Sequence, residues 1–167
     1  MEAKPEKPLD GIELKSDQEQ LPPGFSKGKR VRLYIKNYQE DYIKKENWIN
    51  VSDSGWCYNS SNGCQWVLLG ERNKFFLIYV DRKYPKFKNY YLSSSNENRA
   101  GIYKPWTRPQ ALKIDKEGHI SGSFITGKYY LVFKYDPDGD YYGKIHWANI
   151  KKDTPNLKRA KFKLIRV

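Results

Sequence analysis

From Gly28 onward the chain runs in short stretches of Tyr, Phe, Ile, Val and Leu, separated about every 8–12 residues by clusters of Asn, Gly, Asp, Pro and Ser. Runs of this length bounded by turn formers predict β-strands. No window sustains apolar residues at i, i+3, i+4 and i+7 through three turns, which argues against a substantial helix. Residues 1–27 read differently: Pro5, Pro8, Pro22 and Pro23 stand among many charges and few large apolar groups. Such a segment buries too little to offset the entropy of ordering, so it is expected to be a flexible tail or a linker to another module.

The runs repeat. An aromatic–aliphatic pair recurs as Tyr42-Ile43, Tyr91-Leu92 and Tyr130-Leu131, followed by Cys57-Tyr58, Ile102-Tyr103 and Ile145-His146. Apolar residues two apart then open a closing strand, at Trp66 and Leu68, Leu112 and Ile114, Phe162 and Leu164. A further strand precedes each set, over 31–36, 75–80 and 120–125. Three units of four strands follow one another at a period of about 45 residues, the mark of an internal repeat. Three blades are too few for a propeller. Twelve strands in three units suit a six-stranded barrel capped by three hairpins, each unit filling one third of the core. The expected fold is thus an all-β β-trefoil over residues 28–167, one domain for a chain of 167 residues.

Charge narrows the partners. Lys and Arg number 31 against 19 acids, a net +12, and residues 1–27 hold four Lys and six acids, leaving 27 basic and 13 acidic residues in 28–167. That excess favours anionic partners, such as sulfated or sialylated glycans, anionic lipid or nucleic acid, although it also serves solubility. The basic side chains are densest late in the chain, where Lys151, Lys152, Lys158, Arg159, Lys161 and Lys163 form a candidate polyanion site. No apolar stretch is long enough to span a bilayer, and the first residues lack the apolar core of a signal peptide.

Cys57 and Cys64 flank a segment ending in the turn former Asn62-Gly63, so the two thiols could face each other across a hairpin as a disulfide; the alternative is two free buried thiols. Asn50-Val51-Ser52 and Asn59-Ser60-Ser61 are glycosylation sequons, compatible with a secreted or extracellular protein. No zinc spacing, HExxH, GxSxG or phosphate loop occurs, and His119 and His146 are the only histidines, so the chain is expected not to be an enzyme and to need no cofactor. Asp136-Pro137-Asp138-Gly139-Asp140 alternates carboxylates, but Tyr141 and Trp147 stand where a calcium loop requires Gly and Glu, so it reads as a hairpin turn.

Five Trp, 14 Tyr and 7 Phe exceed what a trefoil core of aliphatic residues takes up, so many rings are expected at the surface. Aromatic faces stack on sugars and enclose quaternary ammonium groups. Third strands and the loops after them carry the candidates Trp56 and Tyr58, Tyr103 and Trp106, His146 and Trp147. Each could instead be a cap packed over the barrel mouth.

The architecture resembles that of β-trefoil lectins. Ricin-type members carry Gln-x-Trp in each closing strand; here Cys64 precedes Trp66, and Leu112 and Phe162 replace the other Trp residues. A local likeness is to the C-terminal trefoil of lysenin-type pore-forming toxins, with Tyr90-Tyr91-Leu92-Ser93-Ser94-Ser95 followed by Gly101-Ile102-Tyr103. That resemblance implies a head-group site at Tyr103 and Arg99, the latter standing where the family has Gln, with His146 at the matching aromatic position of the third unit. Basic trefoils such as fibroblast growth factors, which bind heparin late in the last unit, supply the analogy for Lys151–Arg166. The leading expectation is a non-enzymatic module binding a cell-surface carbohydrate or lipid head group for a toxin or adhesin, with polyanion binding and hydrolase inhibition as alternatives.

Overall fold

A computed structural model describes residues 28–37, 47–104, 111–124, 127–134, 145–155 and 157–167. They form thirteen strands: β1 (Lys29–Ile35), β2 (Trp48–Val51), β3 (Cys57–Ser60), β4 (Trp66–Glu71), β5 (Lys74–Tyr79), β6 (Tyr91–Ser94), β7 (Ala100–Tyr103), β8 (Leu112–Ile114), β9 (Ile120–Phe124), β10 (Gly127–Lys134), β11 (Ile145–Ala148), β12 (Leu157–Arg159) and β13 (Phe162–Arg166). A single 3₁₀ turn, Pro85–Phe87, is the one helical element among the described residues. The tail 1–27, the pair Tyr42-Ile43, Trp106 and the Asp136–Asp140 turn all lie outside them.

All pairings are antiparallel and belong to one sheet. Three hairpins, β2–β3, β6–β7 and β10–β11, alternate with ladders between β1 and β4, β4 and β5, β8 and β9, and β1 and β13. The expected closing strands begin at the expected residues, Trp66, Leu112 and Phe162. β12 is the addition to the twelve: it pairs with β10 through Val132, Phe133 and Lys134, and the chain re-enters at Ala160 to start β13.

Strand alternation places Leu33, Ile35, Trp66, Leu77, Leu112, Ile120 and Phe162 in one buried core. On the other side of β4, β5 and β6 a smaller buried cluster joins Val67, Leu69, Phe76, Ile78 and Tyr91. Aromatic residues fill much of the interior. Trp66, Tyr79 and Tyr91 are wholly buried, and Trp147 is 2% exposed. Of the rings expected at the surface, Trp147 is thus buried instead. The size of the buried rings suits a wide core, and Trp66 meets Tyr79 edge-on at 6.0 Å while Tyr91 meets Phe76 edge-on at 5.6 Å, the arrangement ring quadrupoles favour.

The Asn62-Gly63 turn does not close a hairpin. β3 pairs with β2, whereas β4 pairs with β1 and β5, so the segment between Cys57 and Cys64 crosses from one pairing to another. Both cysteines are free thiols buried in the core, which corrects the disulfide expectation. Burial pushes the Cys57 thiol up to about 12, with Arg99 pulling the other way, and burial likewise raises Cys64.

Candidate functional site

One local device recurs at three turns. Ser52 Oγ accepts the amides of Ser54 and Trp56. Ser95 Oγ accepts those of Glu97 and Arg99, and Asp115 Oδ1 those of Glu117 and His119. In each turn the fourth residue is left-handed: Gly55 at φ +89°, Asn98 at +67° and Gly118 at +98°. Each is thus a short loop closed by a left-handed residue, with a side-chain oxygen satisfying two amides the turn leaves over. The fifth residue, Trp56, Arg99 or His119, is delivered at the foot of the next strand.

The first two turns belong to equivalent hairpins, so Trp56 of β2–β3 and Arg99 of β6–β7 are counterparts 43 positions apart. Cys57-Tyr58 therefore matches Ala100-Gly101, and the aromatic–aliphatic partner of Tyr91-Leu92 is Trp48-Ile49. The repeat pairing of Cys57-Tyr58 with Ile102-Tyr103 was two residues out of register.

The third strands converge: β3, β7 and β11 lie against one another pairwise. Isolated bridges join Trp56 to Gly101 and Arg99 to His146. Ile102 N–H donates to Gly55 O at 3.0 Å and Trp147 N–H to Asn98 O at 2.7 Å. Trp56, Arg99 and His146, all half-buried, thereby meet at one junction. The Arg99 guanidinium carbon lies 4.5 Å from the Trp56 ring centroid. The indole also lies over Gly101, where a Cβ would come within 3.0 Å of it and of Gly55 O. Glycine at 101 is what allows the ring to lie across β7. Arg99 Nε is buried and has no hydrogen-bond partner among the described residues. An unpaired buried donor of a charged group is costly, and it is satisfied when an acceptor reaches it.

The remaining expected residues are distributed around that junction. Tyr58 and Tyr103 are half-buried, two and four residues along from Trp56 and Arg99 on β3 and β7. Trp147 faces the core, its indole N–H donating to Ser93 O at 3.0 Å, so it is a structural ring with no face for a ligand. His119 is also structural: 2% exposed, its Nδ1 lies 2.9 Å from Asp115 Oδ2, and its ring meets Tyr130 edge-on.

The late basic run is divided among elements. Lys151 and Lys152 are exposed ahead of β12, and Lys158 is half-buried on it. Arg159 is committed to Asp153, which accepts its Nε at 3.1 Å, and to the Tyr130 ring at 5.3 Å. Lys163 belongs to β13, the strand beside β1, and Lys161 immediately precedes it. No group of three or more metal-ligating side chains occurs among the described residues, and no helix in them is long and apolar enough to cross a membrane.

Sequence reading missed the turns and Gly101. The available signal was Ser followed three residues later by Gly or Asn and four later by a large side chain, at Ser52 and again at Ser95. Comparison with protein families, characterised proteins and solved structures finds no match to this chain.

Proposed function

We propose that residues 28–167 form a β-trefoil recognition module, without catalytic activity, that binds a carbohydrate or lipid head group at the junction of its third strands. The ladder order supports the trefoil reading: β1, β4, β5, β8 and β9 pair in succession, β13 pairs with β1, and a bridge between His119 and Lys161 links the foot of β9 to the approach to β13. Three hairpins remain as the cap, and their third strands meet as three-unit pseudosymmetry requires.

The observation that carries the binding reading is the Arg99–Trp56 pair beside His146, with a buried Nε that has no hydrogen-bond partner among the described residues. An aromatic face supplies stacking and a guanidinium supplies a directional fork for an oxyanion. The units differ here, Trp56 in one and Arg99 in the equivalent place of the next, so the cap makes one composite site rather than repeated copies. The cation also selects. A quaternary ammonium held about 5 Å from it would meet repulsion of about 3 kcal/mol at an effective dielectric near 20. The site therefore suits a carboxylate-bearing sugar or the phosphate of a head group better than a choline. This reading draws on trefoil lectins by analogy of architecture and departs from the phosphocholine site of lysenin-type toxins. A binding role of this kind fits an extracellular setting and the receptor-binding part of a toxin or adhesin.

The test is an array of acidic and neutral glycans and of phospholipids, probed with the wild-type chain and with Arg99→Ala and Trp56→Ala. Binding to acidic sugars or phosphate head groups that falls at least tenfold in both variants supports the site. Binding unchanged in both places it elsewhere.

A further inference from the structure

The face of β1 and β13 turned away from the core is cationic and carries an aromatic pair at its centre. Val31, Leu33 and Ile35 point inward, so Arg30, Arg32, Tyr34 and Lys36 alternate outward. Across the ladder Tyr34 is opposite Lys163, Arg32 is opposite Ile165, and Lys36 N–H donates to Lys161 O at 2.7 Å. Five cations thus line two adjacent strands and the residues at their ends, Lys36 just after β1 and Lys161 just before β13, and neither strand carries an acidic residue.

The centre is built rather than merely exposed. Tyr34 meets Trp48 edge-on at 5.0 Å. Arg32 Nε donates to Gly63 O at 3.1 Å, and Gly63 packs so closely on Trp48 that a Cβ there would lie 2.8 Å from the indole. One glycine therefore fixes a guanidinium beside an aromatic pair.

We infer that this β1–β13 face binds single-stranded nucleic acid, with Arg30, Arg32, Lys36, Lys161 and Lys163 on the phosphates and the Tyr34–Trp48 pair against an unpaired base. Outward side chains along β1 recur about every 6.8 Å, close to the pitch of phosphates on an extended strand. A sulfated glycan would use the same cations but has no base to place on the rings, whereas stacking on aromatics beside a basic track is how single strands are held without sequence preference. This face is separate from the Arg99–Trp56 junction and does not rest on it.

The experiment is fluorescence anisotropy with a labelled 12-nucleotide oligo(dT), an abasic strand of equal length and a heparin dodecasaccharide, from 50 to 300 mM salt. Binding of oligo(dT) should weaken steeply, with a log–log salt slope of up to about −3.5 for five phosphate contacts. Lys36→Glu with Lys163→Glu should cost at least tenfold, while Lys151→Glu with Lys152→Glu, the same charge change on a different segment, should cost less than threefold. Tyr34→Ala should weaken oligo(dT) by about 5- to 100-fold and leave the abasic strand unchanged. Melting curves accompany each variant, and the exposed Lys36/Lys163 pair tests the face even where Tyr34→Ala is unstable. Arg99→Ala should leave oligo(dT) binding intact, which separates this test from that of the junction. No oligo(dT) binding, equal losses for the two Lys pairs, or heparin binding that exceeds oligo(dT) and ignores Tyr34→Ala would overturn the inference, the last in favour of a sulfated glycan.

Discussion

Gly55 and Gly118 occupy the same place in the same turn at nearly the same φ, +89° and +98°, yet alanine should affect them very differently. At either position an L side chain in the left-handed region costs about 1–2 kcal/mol, partly offset by about 0.4–1 kcal/mol from a stiffer unfolded chain. At Gly55 that is nearly all, because the new Cβ would find Phe87 Cζ, Ile102 Cγ1 and Ile102 O at 3.6–3.8 Å, ordinary contact distances. At Gly118 the Cβ would stand 2.5 Å from Phe162 O and 2.9 Å from Phe162 N. Both are backbone atoms of a paired strand, so no rotamer relieves the clash. The turn must back away, weakening the bond from Phe162 N–H to Gly118 O, now 2.8 Å. Overpacking and a weakened buried hydrogen bond add about 2–3 kcal/mol. Gly55→Ala should therefore cost about 1 kcal/mol and Gly118→Ala about 3–4 kcal/mol, or about 2–4 °C against about 6–15 °C in melting temperature for a chain this size. Urea unfolding followed by circular dichroism, with slopes checked for equality, reads the difference. Equal losses at the two sites would refute the close approach of the 115–119 turn to β13.

Other expectations follow from the same packing. Trp147→Phe should cost about 2–3 kcal/mol in urea unfolding, because it opens a gap in the core and removes the buried indole hydrogen bond to Ser93 O; a loss under 0.5 kcal/mol would mean the indole is not enclosed. Burial raises the Asp115 carboxyl, but the His119 amide and ring and the Glu117 amide outweigh it and hold it below its ordinary value of 3.8. Asp153 is lowered by Arg159 against the same opposition. A lowered folded value contributes stability that is fully present above the ordinary carboxylate range and is lost as pH falls through the lowered value, so Asp115→Ala should flatten the acid limb of the stability curve below about pH 4. Unchanged steepness in that variant would count against the turn. Cys57 and Cys64 should resist a disulfide-exchange reagent at pH 8 in the native protein and both react in denaturant, since burial suppresses the reactive thiolate. Fast native labelling, or fewer than two thiols after unfolding, would contradict their burial as free thiols.

Much of the architecture was legible because strand periodicity is a strong local signal. Trp66, Leu112 and Phe162 open their strands as the alternation implies. Register between units was not legible to the residue. Ile102-Tyr103 and Ala100-Gly101 differ by two positions, and a shift of two leaves every side chain on its own face, so the hydrophobic pattern cannot separate them. Only the Ser95 turn fixes the match. Asn62-Gly63 misled for a related reason: a turn dipeptide reports local backbone preference and not which strands pair on either side of it. Aromatic composition could not say which rings are inside: Trp147 on β11 is buried in the core, whereas Trp56 at the foot of β3 is half-buried. The Arg99–Trp56 contact depends on strands from two units meeting, which no single segment records.

The most direct measurement of the recognition junction is a two-dimensional amide spectrum of the isotopically labelled chain, titrated with the tightest array ligand. Ligand should move the Trp56 indole and the Arg99 and Gly101 amides first, with the buried Trp147 indole nearly still. Shifts confined to other strands, or a Trp147 indole that moves as much as Trp56, would contradict binding at the junction of the third strands.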